Sequence, residues 1–258
     1  MRTLIATAVL ACSLMGGAAH AGRVTVYEWE EVAAGEDATT GSDRYVSGVP
    51  LEDVAGIATY GPFRVIDGNR AALVGITDHR SPQAFRAMLR DHPGLATLDL
   101  IECPGTFDDL ANLELGRLIR KAGLATHVPH EGSVRSGAVE LFLAGARRSI
   151  DDGARFAVHA WEDDSGMEAT DYALDAPENR RYLSYYREMG MTEQQARAFY
   201  AMTNSVPFES ALWLSAGEMR GWTGDQPAQA LEQVQAESAP VPDAAPRLAY
   251  LDLGALLN

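Results

Sequence analysis

The chain has 258 residues, is 47% hydrophobic and carries a formal charge of −15, with 36 acidic against 21 basic side chains. A surface of that sign repels nucleic acid and anionic headgroups, which disfavours both as partners. The hydrophobic content suffices for one sizeable buried core.

In chain order, residues 1–21 read as an export signal. Arg2 supplies a minimal positive start, residues 4–11 an apolar run, and Ala19-His20-Ala21 a small-residue cleavage site before Gly22. That run is far shorter than the roughly 20 residues of a membrane span. Val9-Leu10-Ala11-Cys12 supports a competing reading, a lipoprotein signal that leaves Cys12 as a lipidated first residue. Cleavage after Ala21 leaves Cys103 as the one cysteine, so no intramolecular disulfide can form. Cys103 reads as a small buried residue rather than a nucleophile.

Residues 24–29 alternate like a strand, and 30–45 are polar and turn-rich. Residues 70–77 read as a buried strand. Ser81 then caps a helix over 82–91, which stops at His92-Pro93-Gly94. Residues 96–103 form the next strand, broken by Pro104-Gly105. Residues 108–122 form an amphipathic helix with Leu110, Leu113, Leu115, Leu118 and Ile119 on one stripe, ended by Gly123. Lys121, the only lysine of the chain, sits on its surface. A short strand follows at 125–128. Residues 137–144 are apolar nearly all round and read as a buried helix, and 147–150 and 156–161 as two strands around Asp151-Asp152-Gly153. Beyond them come an acidic loop at 162–176, helices at 177–190 and 192–202 (Thr192 as cap), and a short helix at 215–221. Residues 224–246 read as a flexible tail, and 248–257 are apolar enough to dock back.

Alternating strands and helices over 70–161 predict an α/β core with substantial parallel pairing. In such sheets active sites gather at the carboxyl ends of strands. Cys103-Pro104-Gly105 and the stretch before Ser136 are two such ends. Read alone, Ser136-Gly137 is an ordinary helix-capping pair as readily as a nucleophile. At a helix start, however, the Ser136 hydroxyl meets the positive end of the dipole, and Gly137 lets a substrate carbonyl approach closely. His159, in the run FAVHAW, is the candidate base. The histidines His79, His92, His127 and His130 sit in turns or loops without a metal-ligand pattern, and neither metal nor cofactor is expected.

Four segments in order, IECPGT, SGAVELFLAGARR, GARFAVHAW and FESALWLSAGEM, are similar to the ClpP/crotonase superfamily. Within it they resemble exported ClpP-like serine hydrolases, over about residues 64–222. The resemblance implies an α/β fold built as a spiral of β-β-α units with a helical C-terminal segment. It divides the chain into a signal (1–21), an N-terminal extension (22–63), the ClpP-like domain (64–222) and a tail (223–258). Carried over, Ser136 becomes the nucleophile, His159 the general base, and Gly105, Thr106 and Gly137 the oxyanion site. The family pattern places an Asp before the phrase represented by WLSAGE; here Glu209 is the only carboxylate over 206–214, so it becomes the orienting acid, with Asp163, Asp164 and Asp171 in reserve. The family's second turn glycine is replaced by Thr106, which would be strained if its φ were positive. The superfamily's Ser-Lys dyad would have to use Lys121, and its CoA chemistry does not suit an exported protein. The expected function is an exported, periplasmic serine hydrolase, a peptidase acting on peptides or esters, without a membrane span and as a homo-oligomer. The alternative is a catalytically inactive ClpP-fold binding or scaffold protein.

Overall fold

The structure, a computed structural model, describes residues 54–224. The signal, the strand expected at 24–29 and the segments at 225–246 and 248–257 lie outside the described residues. Nine strands form one mixed sheet: β1 (Ala58–Tyr60), β2 (Phe63–Val65), β3 (Arg70–Val74), β4 (Thr97–Cys103), β5 (Ala125–Val128), β6 (Ser133–Arg135), β7 (Arg148–Ile150), β8 (Arg155–Val158) and β9 (Leu212–Ser215). Six helices pack around it: α1 (Ser81–Asp91), α2 (Asp109–Ala122), α3 (Ala138–Leu143), α4 (Pro177–Glu188), α5 (Glu193–Thr203) and α6 (Ala216–Thr223). The expected α/β class is therefore present.

The sheet branches at β4. Its first half, Thr97–Asp99, pairs in parallel with β5, while Glu102 and Cys103 pair in parallel with β6. The branches continue separately, β5 to β7 and β6 to β8. One arm thus runs β3-β4-β6-β8 with every neighbour parallel, closed at its ends by the antiparallel β2 and β9. Parallel strands side by side bring their carboxyl ends to one edge. Residues 75–77, 104–106, 136–137 and 159 follow those four strands there.

Several elements differ from their sequence reading. The first buried strand stops at Val74, because Gly75 takes φ 110° and only Thr77 resumes pairing, with Thr106. Ser81 is the first residue of α1 rather than its cap: its hydroxyl bonds the Asp78 side chain (3.1 Å) and Arg80 stands in the cap position. Asp108 does cap α2, accepting from the Ala111 N–H, and Leu113, Leu115 and Ile119 are buried as expected, but Leu110 is exposed. β8 ends at Val158, so the strand expected over 156–161 stops short of His159, which lies beyond it. Cys103 is fully buried and its thiol lies 3.3 Å from the Leu73 carbonyl.

The acidic stretch after Trp161 is held down by aromatic and amide contacts. Trp161 Nε1 donates to the Tyr200 hydroxyl (2.7 Å), which in turn bonds Asn179 Oδ1. The Asn179 amide nitrogen donates to the carbonyls of Ala169 (3.1 Å) and Ala173 (3.0 Å). A buried carboxyl sits behind this layer. Glu140 of α3 accepts from the Tyr186 hydroxyl (2.8 Å), and its own carbonyl accepts from Tyr185 (2.6 Å).

Burial pushes the Glu140 carboxyl from an ordinary 4.5 up to about 7, against the lowering effect of the Tyr186 hydrogen bond. Between these values the unfolded carboxyl has ionised and the folded one has not, so stability falls as pH rises through that window. Glu140→Gln keeps the acceptor for Tyr186 and removes the titration. Relative to wild type it should gain of the order of 3 kcal/mol between pH 5 and pH 8, read by urea unfolding. A difference that does not change with pH would show that Glu140 is ionised in the folded protein.

Candidate active site

Ser136 lies between β6 and α3 with φ 50°, one of two non-glycine residues among those described with positive φ. A side chain in this region costs on the order of 1–3 kcal/mol and persists only where its surroundings hold it. Two backbone bonds do so: the Ser136 N–H donates to the Ala157 carbonyl (2.9 Å), and its carbonyl accepts from the Val139 N–H (2.9 Å). The turn lifts the hydroxyl off the end of β6, where no side chain among the described residues hydrogen-bonds it.

Gly105, at the end of β4, faces Ser136 directly. It has φ 134°, and a Cβ placed there would stand 3.0 Å from Ser136 Cβ and 3.3 Å from its Oγ. Glycine is thus required twice, by conformation and by room. The positive φ falls on Gly105 and not on Thr106, so the strain anticipated for a β-branched residue does not arise. Thr106 pairs with Thr77, with Thr77 N–H donating to Gly105 O (3.1 Å) and Phe107 N–H to Thr77 O (2.9 Å). In that ladder the Thr106 N–H points away from Thr77. Thr106 also abuts Gly137, whose Cβ, if present, would lie 2.6 Å from Thr106 Cγ2. Neither the Thr106 nor the Gly137 N–H is bonded to another backbone carbonyl among the described turns and loops.

His159 follows β8, two residues beyond the Ala157 carbonyl that holds Ser136. Its Nδ1 lies 2.8 Å from the Ala160 carbonyl. A carbonyl oxygen only accepts, so in the neutral ring Nδ1 carries the hydrogen and Nε2 keeps its lone pair, the form a general base needs. Phe208 packs edge-on against the imidazole, with ring centroids 5.1 Å apart. No hydrogen bond joins Ser136 and His159.

The candidate acids stand elsewhere. Glu209 is exposed in the turn Pro207–Ser210, adjacent in sequence to Phe208, and makes no hydrogen bond to His159. Asp163 accepts from Tyr172 and from the N–H groups of Ser165 (2.8 Å) and Met167 (3.1 Å), and the Tyr172 bond leads in holding it down at about 2. Asp171 caps its own turn by accepting from the Glu168 N–H (2.8 Å), and Asp164 is exposed. The structure thus gathers Ser136, Gly137, Gly105, Thr106 and His159 on one sheet edge and leaves the four carboxylates off the imidazole.

Sequence reasoning missed three polar residues here. Asn112 and Thr77 are buried beside the turn, where Asn112 Nδ2 donates to Gly137 O (2.6 Å) and Thr77 Oγ1 to Asn112 Oδ1 (3.0 Å). Arg135, immediately before Ser136, pairs with the buried Glu102. Among the described residues no group of histidine, cysteine and acidic side chains is arranged to hold a metal, and no helix is long and apolar enough to cross a membrane.

If Ser136 is strained, Ser136→Gly should be more stable than Ser136→Ala by about 1 kcal/mol, since both lose the hydroxyl and only glycine relaxes the backbone. Urea unfolding of the two variants decides it; an alanine variant at least as stable would mean the turn is unstrained.

No protein-family model matches the chain, and no curated protein matches it. Among solved structures, a variant of ClpP1 from Listeria monocytogenes is similar at 15% identity and a TM-score of 0.45, covering 61% of this chain and 88% of its own. A variant of a membrane-bound stomatin-specific protease is similar at 13% identity and a TM-score of 0.43, covering 66% of this chain and 82% of its own. At such scores neither likeness says which side chains are shared.

Proposed function

We propose that this chain is an exported serine hydrolase of the ClpP-like type, acting as a peptidase on peptides or esters, and built on the spiral of β-β-α units that the branched sheet suggests. The observation that carries the reading is the Ser136 turn at positive φ, seated against Gly105 and hydrogen-bonded to Ala157, two residues before a histidine whose Nδ1 faces the Ala160 carbonyl. In the proposed reaction His159 Nε2 takes the proton as Ser136 Oγ attacks the substrate carbonyl. The oxyanion sits between the Thr106 and Gly137 N–H groups, where preorganised donors stabilise charge as it develops. The imidazolium then protonates the leaving group, and water repeats the sequence to release the acyl product.

In this scheme the Ala160 carbonyl keeps the tautomer that a triad's carboxylate would otherwise keep. Glu209 contributes field and no hydrogen bond. A second reading, an inactive ClpP-fold binding protein, draws support from the placement of Glu209, Asp163, Asp164 and Asp171 off the imidazole. A fluorophosphonate probe separates them. Wild type should be labelled and Ser136→Ala not, whereas Glu209→Gln should label within about three-fold of wild type. Unlabelled wild type would favour the binding protein, and a loss of orders of magnitude in Glu209→Gln would restore that residue as the acid.

Export is part of the proposal and rests on the signal-like residues 1–21. Protein recovered by osmotic shock should begin at Gly22 by mass spectrometry. A lipidated Cys12 would identify a lipoprotein instead, and an intact Met1 would remove export from the reading.

A further inference from the structure

We propose that Asn112 is a positioning residue that sets the spacing of the two oxyanion donors, an inference resting on the hydrolase reading of the Ser136 site. Asn112 lies in the first turn of α2 and is 2% exposed. A buried primary amide is costly unless bonded at both ends, so its presence in an otherwise apolar stripe calls for a partner on each side. Both are present. The Gly137 carbonyl can only accept, which fixes Nδ2 as the atom facing it at 2.6 Å. The amide oxygen therefore faces Thr77, whose hydroxyl donates at 3.0 Å.

The two ends of this bridge belong to the two halves of the site. Thr77 is laced to the oxyanion turn through its backbone: its N–H bonds Gly105 O and its carbonyl receives the Phe107 N–H. Gly137 belongs to the Ser136 turn. The candidate donors, Thr106 N–H and Gly137 N–H, thus stand on chain segments with no direct backbone hydrogen bond between them among the described residues. Asn112 joins one to the other. The packing is close as well, since a Cβ at Gly137 would lie 3.1 Å from Asn112 Nδ2 and 2.6 Å from Thr106 Cγ2. Glycine at 137 leaves that peptide free to rotate unless something holds its carbonyl, and a positive φ at Ser136 needs the same restraint.

A residue that places donors acts on the transition state more than on substrate binding. The test uses full-length protein and p-nitrophenyl butyrate, with Asn112→Leu and the isosteric Thr77→Val, which removes one hydroxyl and guards against misfolding of the first variant. Ser136→Ala is run alongside. Both positioning variants should lose about 10- to 100-fold in kcat with KM changed less than about three-fold, a smaller loss than removal of a donor itself. If Ser136→Ala is inactive while Thr77→Val and folded Asn112→Leu keep wild-type kcat, the positioning role falls and the hydrolase reading stands. A rise in KM at constant kcat overturns the positioning role in the same way. If Ser136→Ala turns over like wild type, the hydrolase reading fails and takes this proposal with it.

Discussion

Everything at the candidate site's edge depends on β4 having more length than either β5 or β6 covers. Its seven residues are shared, three pairing with β5 and two with β6, and the chain must step aside between Val128 and Ser133 to make the exchange. Each branch carries a polar clasp on β4. On the β5 side, Asp99 is held by Arg70 and by His127 Nδ1 (2.9 Å), whose Nε2 reaches Asp151 (3.3 Å). Burial opposes charge on His127, but the Asp99 and Asp151 hydrogen bonds and charges together outweigh it and raise its pKa. On the β6 side the clasp is Arg135 with Glu102. Both carboxylates are buried, so each depends on its partners to offset the cost of desolvation, and the clasps tie β4 to its neighbours on either side of the branch even if they add little net stability.

The branch positions Ser136; the packing beyond β8 positions His159. His159 leaves the sheet between two restraints: Ala160 N–H donates to Val206 O (2.9 Å), and β9 pairs Leu212 with Val158. Phe208, hanging between them, has its own N–H bonded to Glu168 (2.8 Å), so the ring that edges the imidazole is tied to the acidic loop. Trp161, Tyr200 and Asn179 anchor that loop to α4 and α5. Backbone and aromatic contacts thus help to orient the imidazole.

The sequence made the longer elements legible because their signals are local. Asp108 and Gly123 bracket α2, Thr192 opens α5, and the continuous apolar run of α3 announces its burial. The three-residue strands β1, β2 and β6 carry too few positions for any period to register: β1 pairs with β2, β2 also with β3, and β6 with β4 and β8. Leu110 matched the helical stripe, yet it is exposed while Asn112 and Leu113 of the following positions are buried. At the site, Ser136 and Gly105 stood next to recognisable strand ends. Asn112 did not stand out, since a polar residue inside an amphipathic stripe looks like a surface position until its two partners, one from before α2 and one from after it, are seen together.

A branched sheet has more margins than a simple one, and a margin strand is where another extended chain can pair. Among the described residues the margins are β1, β7 and β9, of three, three and four residues. Two of them end abruptly at helices or turns: β9 runs straight into α6, and β7 into the turn before β8. Strands this short present too few hydrogen-bonding groups in register to template a foreign strand. If the proposed hydrolase receives extended polypeptide at the Ser136 edge, margins this short leave such chains little purchase elsewhere.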